Sequence, residues 1–141
     1  MSEAELIEQW KREEQEPFAG WDFSYLEGRY SEEQPPWTYG RVVRELLRDA
    51  DSVLDLGTGG GEKLLELRDA LPARTVATEG WEPNVPVARA NLEPHGIELV
   101  EYNIDTTPRM PFEDGSFGLI IDRHEAYDAR EVARLLRPGG V

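Results

Sequence analysis

An α/β fold, a parallel sheet with helices on both faces, is predicted by three features of this sequence. Short apolar strands alternate with helical segments, the pattern of βαβ units with right-handed crossovers. A glycine-rich turn, Gly57-Thr58-Gly59-Gly60-Gly61, joins the first strand to a helix. The length, 141 residues, suits one domain able to build its own core.

The elements follow in order. Ser2 and Glu5 form a capping box for a short helix carrying Leu6, Ile7 and Trp10 on one face, ended by Pro17. Phe18 to Pro36 has no clean period and is expected to be an ordered, irregular arm. Residues 1–37 are therefore set apart as an acidic, aromatic-rich helix and arm, and 38–141 as the α/β unit. Val42, Val43, Leu46 and Leu47 take helical spacing within about Thr38 to Arg48. Ser52 to Leu56 is the first strand, followed by the glycine turn and a helix bearing Leu64, Leu65 and Leu67 that ends before Pro72. Thr75 to Thr78 is the second strand, Pro86 to Leu92 a helix with proline in its first turn, and Ile97 to Tyr102 the third strand. Phe117 to Ile121 is the fourth strand and Ala129 to Leu136 the last helix, stopped by Pro138-Gly139-Gly140.

Composition narrows the function classes. The chain holds 29 acidic and 15 basic residues, for a net charge of −14. That balance disfavours phosphate backbones and anionic lipid, and no local basic stripe offsets it. Nucleic acid and membrane are therefore not expected partners. No cysteine is present, which excludes disulfides, thiolate metal sites and a cysteine nucleophile. The charged N-terminus is unlike a secretory signal, and the expected location is the cytoplasm. Residues 1–40 hold eight of the thirteen aromatic side chains, enough ring area to favour burial over disorder.

The glycine turn admits three motif readings. A phosphate-binding P-loop needs G-x-x-x-x-G-K-[ST], but Glu62 stands sixth from Gly57 and Leu64 follows Lys63. The dinucleotide fingerprint G-x-G-x-x-G also meets Glu62 at its sixth position. An acidic-x-G-x-G-x-G pattern is met in full by Asp55, Gly57, Gly59 and Gly61. This segment resembles motif I of the class I S-adenosylmethionine-dependent methyltransferases, and the chain is similar to the type 11 branch. Three further segments agree in order. Glu79 closes the second strand, Asn103 to Asp105 follow the third, and Met110 to Phe117 with Glu131 to Gly140 are close to the family's "LPF-DGSFD" and "E-RVLRPGG" strings.

The resemblance covers about Thr38 to Val141 and implies a Rossmann-like three-layer sandwich with strand order 3-2-1-4. The family's usual seven strands run 3-2-1-4-5-7-6, so only the first four are expected here, as though truncated after the fourth. The exposed edge of that strand is expected to pair with another chain, as in a homodimer. The implied cofactor is S-adenosylmethionine, with S-adenosylhomocysteine as product and a small molecule as acceptor. Asp55 would face the donor's ammonium, and the backbone of Gly57, Thr58, Gly59 and Gly61 its methionine part. Glu79, beside Gly80, would accept hydrogen bonds from the ribose diol. Trp81 would flank the adenine, and Asp105 or Asn103 would meet its amino group. Trp37 and Tyr39 are candidates for a lid or acceptor pocket, and a sulfonium is attracted to aromatic faces. His124, oriented by Glu125 or Asp122, is the candidate general base, against the plainer reading of a polar loop. Two histidines without spaced carboxylate partners make no metal site. A donor-binding module without transferase activity, an inert fragment and a nicotinamide oxidoreductase remain alternatives.

Overall fold

The computed structural model describes residues 1–17, 20 and 22–141, so Phe18 and Trp21 of the arm lie outside the described residues. Helix α1 (Glu3–Glu14) starts on the expected capping box: Glu5 N–H donates to Ser2 Oγ, and Ser2 N–H donates back to Glu5 (2.6 Å). It buries no side chain. The arm that follows is tied to the body where Gly20 N–H donates to Asn84 Oδ1 (2.7 Å). Among the described rings of residues 1–40, Tyr39 packs against the core, whereas the burial expected of the rings is not met at Trp10, Phe23, Tyr30 and Trp37, which stay largely exposed.

The sheet consists of β1 (Ser52–Leu56), β2 (Arg74–Glu79), β3 (Glu98–Glu101) and β4 (Leu119–Asp122). All three pairings are parallel and the order is β3-β2-β1-β4, as expected. Helix α2 (Tyr39–Leu47) is capped by Thr38. Helices α3 (Glu62–Leu65) and α4 (Val85–Leu92) follow the first two strands, and α5 (Ala129–Leu135) follows the fourth. Every residue of β1 is buried, as a central parallel strand requires.

Alternation along β1 divides the core. Val53 packs with Val43, Leu47, Leu64, Ala88 and Leu92 on the side of α2 to α4. Leu54 and Leu56 pack with Met110, Phe117 and Leu135 on the side of α5. Asp55 shares the first side, so a carboxyl group is carried into an apolar layer at the strand's carboxyl end.

Two boundaries differ from expectation. Helix α3 is a single turn, and Leu67 reaches the core from the turns after it. Strand β4 starts at Leu119, while Phe117 makes an isolated bridge to Leu136. Along the outer edge of β4, Val141 N–H donates to Gly118 O (3.0 Å) and Ile120 N–H to Val141 O (2.8 Å). Val141 is thus hydrogen-bonded to the outer edge of β4.

Candidate functional site

The site forms at the carboxyl ends of β1, β2 and β4, where open α/β sheets place ligands. The glycine turn is fastened on two sides. Thr58 N–H donates to Thr78 O (2.8 Å) on β2, and Asn91 of α4 donates to Gly60 O (2.8 Å). Gly61 begins α3 at φ 84°, and a methyl group there would stand 2.7 Å from Leu92 Cγ. Its glycine is needed for a left-handed turn and for close packing of α3 on α4. This packing role was not legible in the motif.

Glu79 is buried at the end of β2, and both its oxygens accept backbone N–H groups. Oε2 accepts from Gly59 (2.7 Å), and Oε1 from Gly80 (2.9 Å) and Trp81 (2.7 Å). The carboxylate therefore sets the glycine turn against the end of β2. Each oxygen keeps acceptor capacity for a ligand hydroxyl.

Asp55 is buried, and its pKa is pushed up to about 7. Desolvation is the main cause, the charges of Asp122 and Glu79 add to it, and a hydrogen bond from Thr58 opposes it. Tyr39 lines a narrow cleft with Asp55, Gly57, Thr58 and Arg123. Burial and the charges of Asp55 and Asp122 raise its phenol pKa, and its buried hydroxyl has no hydrogen-bond partner. Arg123 lies over the Tyr39 ring, 5.6 Å from its centre.

A second cleft is lined by Glu79, Gly80, Glu82, Tyr102, Asn103 and Thr106. Asn103 closes its own turn, with Oδ1 accepting from Asp105 N–H (2.8 Å). It is Asn103, rather than Asp105, that forms the Asx-type turn, and the Asp105 carboxylate is left exposed at the rim. Trp81 is 44% exposed beside the same cleft. Trp37 is exposed ahead of α2, and His124 is exposed on the loop 123–128. Among the described residues no group of metal-binding side chains is present, and no helix is long and apolar enough to cross a membrane.

Two residues gain a place that the sequence did not signal. Tyr102 lines the second cleft with a buried hydroxyl that has no hydrogen-bond partner. Glu125, expected only to orient His124, lays its side chain on Gly57. A methyl group at Gly57 would stand 2.5 Å from Glu125 Cβ and 2.8 Å from Cγ.

The chemistry of this constellation suits a cation. Asp55, Glu79, Asp122 and Glu125 converge around a turn of bare backbone. Glu62 folds its carboxylate back over Gly60, at the start of α3, with Oε2 buried and without a partner. A diphosphate seated there would meet that carboxylate at short range, which is unfavourable. The donor set therefore fits a ligand carrying a sulfonium and an ammonium, and not a dinucleotide.

Comparison with known proteins agrees. A family model described as a methyltransferase domain matches residues 53–140. The chain is 30% identical over 95 residues to the uncharacterized methyltransferase YcgJ of Bacillus subtilis, covering 62% of this chain and 37% of that protein. It is 30% identical over 114 residues to demethylmenaquinone methyltransferase of Thermus thermophilus, covering 74% and 50%. The chain thus spans half or less of the length of these curated relatives. Among solved structures, a complex of the Haloferax volcanii Trm112 methyltransferase activator with a methyltransferase is similar, at TM-score 0.55 and 30% identity, covering 70% of this chain and 47% of that one. A Pyrococcus horikoshii protein shares the fold at TM-score 0.59 and 22% identity, covering 83% and 54%. The sheet order, the glycine turn between acidic strand ends and the matched span together place this chain in the methyltransferase-domain family, among the class I S-adenosylmethionine-dependent methyltransferases.

Proposed function

We propose that this chain forms the donor-binding part of a methyltransferase acting on a small-molecule acceptor. The observation that carries the reading is the pair of buried carboxyl groups, Asp55 and Glu79, flanking the glycine turn at adjacent strand ends. When bound, S-adenosylmethionine supplies a methyl carbon activated by its sulfonium. Asp55 and Asp122 give the donor's ammonium a negative surrounding. The backbone of Gly57, Thr58 and Gly59 lies along the methionine part, and Gly61 holds the turn in place. Glu79 accepts from the ribose diol. Gly80 and Trp81 border the adenine, with Asp105 facing its amino group while Asn103 keeps the turn closed. Tyr39, which lines the first cleft, and Trp37 ahead of α2 would form the lid or acceptor pocket, and His124 would take a proton from a protonated acceptor. Positioning of nucleophile and methyl group in line carries most of such a reaction, so no triad is required.

Small-molecule acceptors fit the acidic surface, which repels nucleic acid. The outer edge of β4, to which Val141 is hydrogen-bonded, is the surface through which two copies would pair. Calorimetry with S-adenosylhomocysteine tests the donor reading. The native chain should bind it, and Glu79→Ala should weaken binding by about tenfold or more, the scale of about 1–3 kcal/mol for lost hydrogen bonds to a buried charge. Absence of binding to the native chain, with NADH bound instead, would transfer the site to the nicotinamide reading.

A further inference from the structure

We propose that Glu125 lets the donor site distinguish a cationic sulfonium from the neutral thioether left after transfer. This rests on the donor reading above. The carboxyl groups around the turn differ in how firmly each is held. Glu79 is fixed in place by the N–H groups of Gly59, Gly80 and Trp81, with acceptor capacity left for the ribose hydroxyls. Asp55 is sunk in the layer beneath the turn. Asp122 Oδ1 holds Glu125 N–H (2.9 Å), and its Oδ2 is buried without a partner. Glu125 lies on the open face of Gly57, with its Cβ, Cγ and Oε2 all over the turn. Its Oε1 accepts from the neighbouring Ala126 N–H (3.1 Å).

Any ligand lying along Gly57 must therefore move this side chain aside. The loop 123–128 keeps it close, because the Asp122 contact anchors its backbone. Glu125 has a raised pKa, first from partial desolvation and then from the charges of Glu79, Asp122 and Asp105, against the Ala126 hydrogen bond. A displaced carboxylate among three others is unfavourable unless a positive charge enters with the ligand. Methyl transfer removes that charge. The acceptor's nucleophile bonds to the methyl carbon, the carbon–sulfur bond breaks with its electron pair left on sulfur, and a neutral thioether remains. The counterion is then lost, and the Glu125 side chain is driven back onto Gly57, where it opposes retention of product.

The isosteric Glu125→Gln change separates charge from bulk. Calorimetry on the full chain would measure S-adenosylmethionine, S-adenosylhomocysteine and the analogue sinefungin, which carries an amine where the methylated sulfur stands. In Glu125→Gln, the preference for the two cationic ligands over S-adenosylhomocysteine should fall by about three- to tenfold, the scale of one partly screened charge contact. Glu125→Asp, which keeps the charge, should retain most of it, and serves as the second variant if the glutamine form does not fold. An equal change for all three ligands would overturn the proposal and leave Glu125 as mere bulk on the turn. Failure of the native chain to bind any of them would instead overturn the donor reading on which the proposal stands.

Discussion

Asp55 shows how one residue position converts sequence into chemistry. It is the fourth residue of a strand whose neighbours are all buried, so its carboxyl group enters a dry layer. The ordinary value of 3.8 rises to about 7 in consequence. The sign of the effect on stability follows from linkage. A folded-state pKa above the unfolded one favours the protonated fold, so the contribution of this one group to stability is fully present below 3.8 and is lost as pH rises from there through about 7. Asp55→Asn should therefore melt at a higher temperature than the native chain in mildly alkaline buffer, with the gap closing in acid. Ligand binding runs the other way. A cationic donor favours the ionised carboxylate, so affinity for S-adenosylmethionine should rise between about pH 6 and about pH 8. Calorimetry at several pH values should show that slope flattened in Asp55→Asn.

At the scale of elements, the segment 110–117 and α5 are joined by one guanidinium. Arg134 pairs with Glu131 through two contacts (2.7 and 2.9 Å) and donates to Phe112 O (2.7 Å), Met110 O (3.1 Å) and Asp114 (2.8 Å). Glu131 in turn accepts from Met110 N–H (3.0 Å). Both side chains of the pair are mostly buried, so every donor of this fork has its acceptor in a fixed place. These residues lie inside the Met110 to Phe117 and Glu131 to Gly140 strings that carried part of the family resemblance. Their physical task here is to clamp a loop onto the helix that covers Leu54 and Leu56. Arg134→Ala should lower stability by about 3 kcal/mol or more, since Glu131 is left buried and unpaired. Chemical denaturation would measure this, and binding of S-adenosylhomocysteine by the folded fraction should be unchanged.

Over the whole molecule, the proposed pairing of two copies sets charge against backbone hydrogen bonding. The net charge of −14 opposes contact between copies except where backbone groups are offered for pairing. In the proposed dimer the outer edge of β4 would supply them, beside the bonds from Val141 to Gly118 and from Ile120 to Val141. Light scattering across a concentration series should show a dimer that strengthens with added salt, as repulsion is screened. A monomer at every concentration and salt level would refute pairing through this edge.

The sequence by itself determined the architecture and the kind of ligand. Alternating apolar runs and punctuating prolines and glycines are local signals, and they placed the four strands, their parallel pairing and the helices between them. The acidic-x-G-x-G-x-G turn and Glu79 pointed to a ligand through their resemblance to the methyltransferase family, which is carried by residue types at fixed spacing. Tertiary structure decided what depends on approach in space. Gly61 serves the contact with Leu92, Asn103 closes a turn that leaves Asp105 exposed, and Phe23, Tyr30 and Trp37 of the arm stay largely exposed. Glu125 reaches Gly57 from a loop 68 positions away with no periodicity to announce it. Contacts of that range follow from where strand ends converge, which no local pattern encodes.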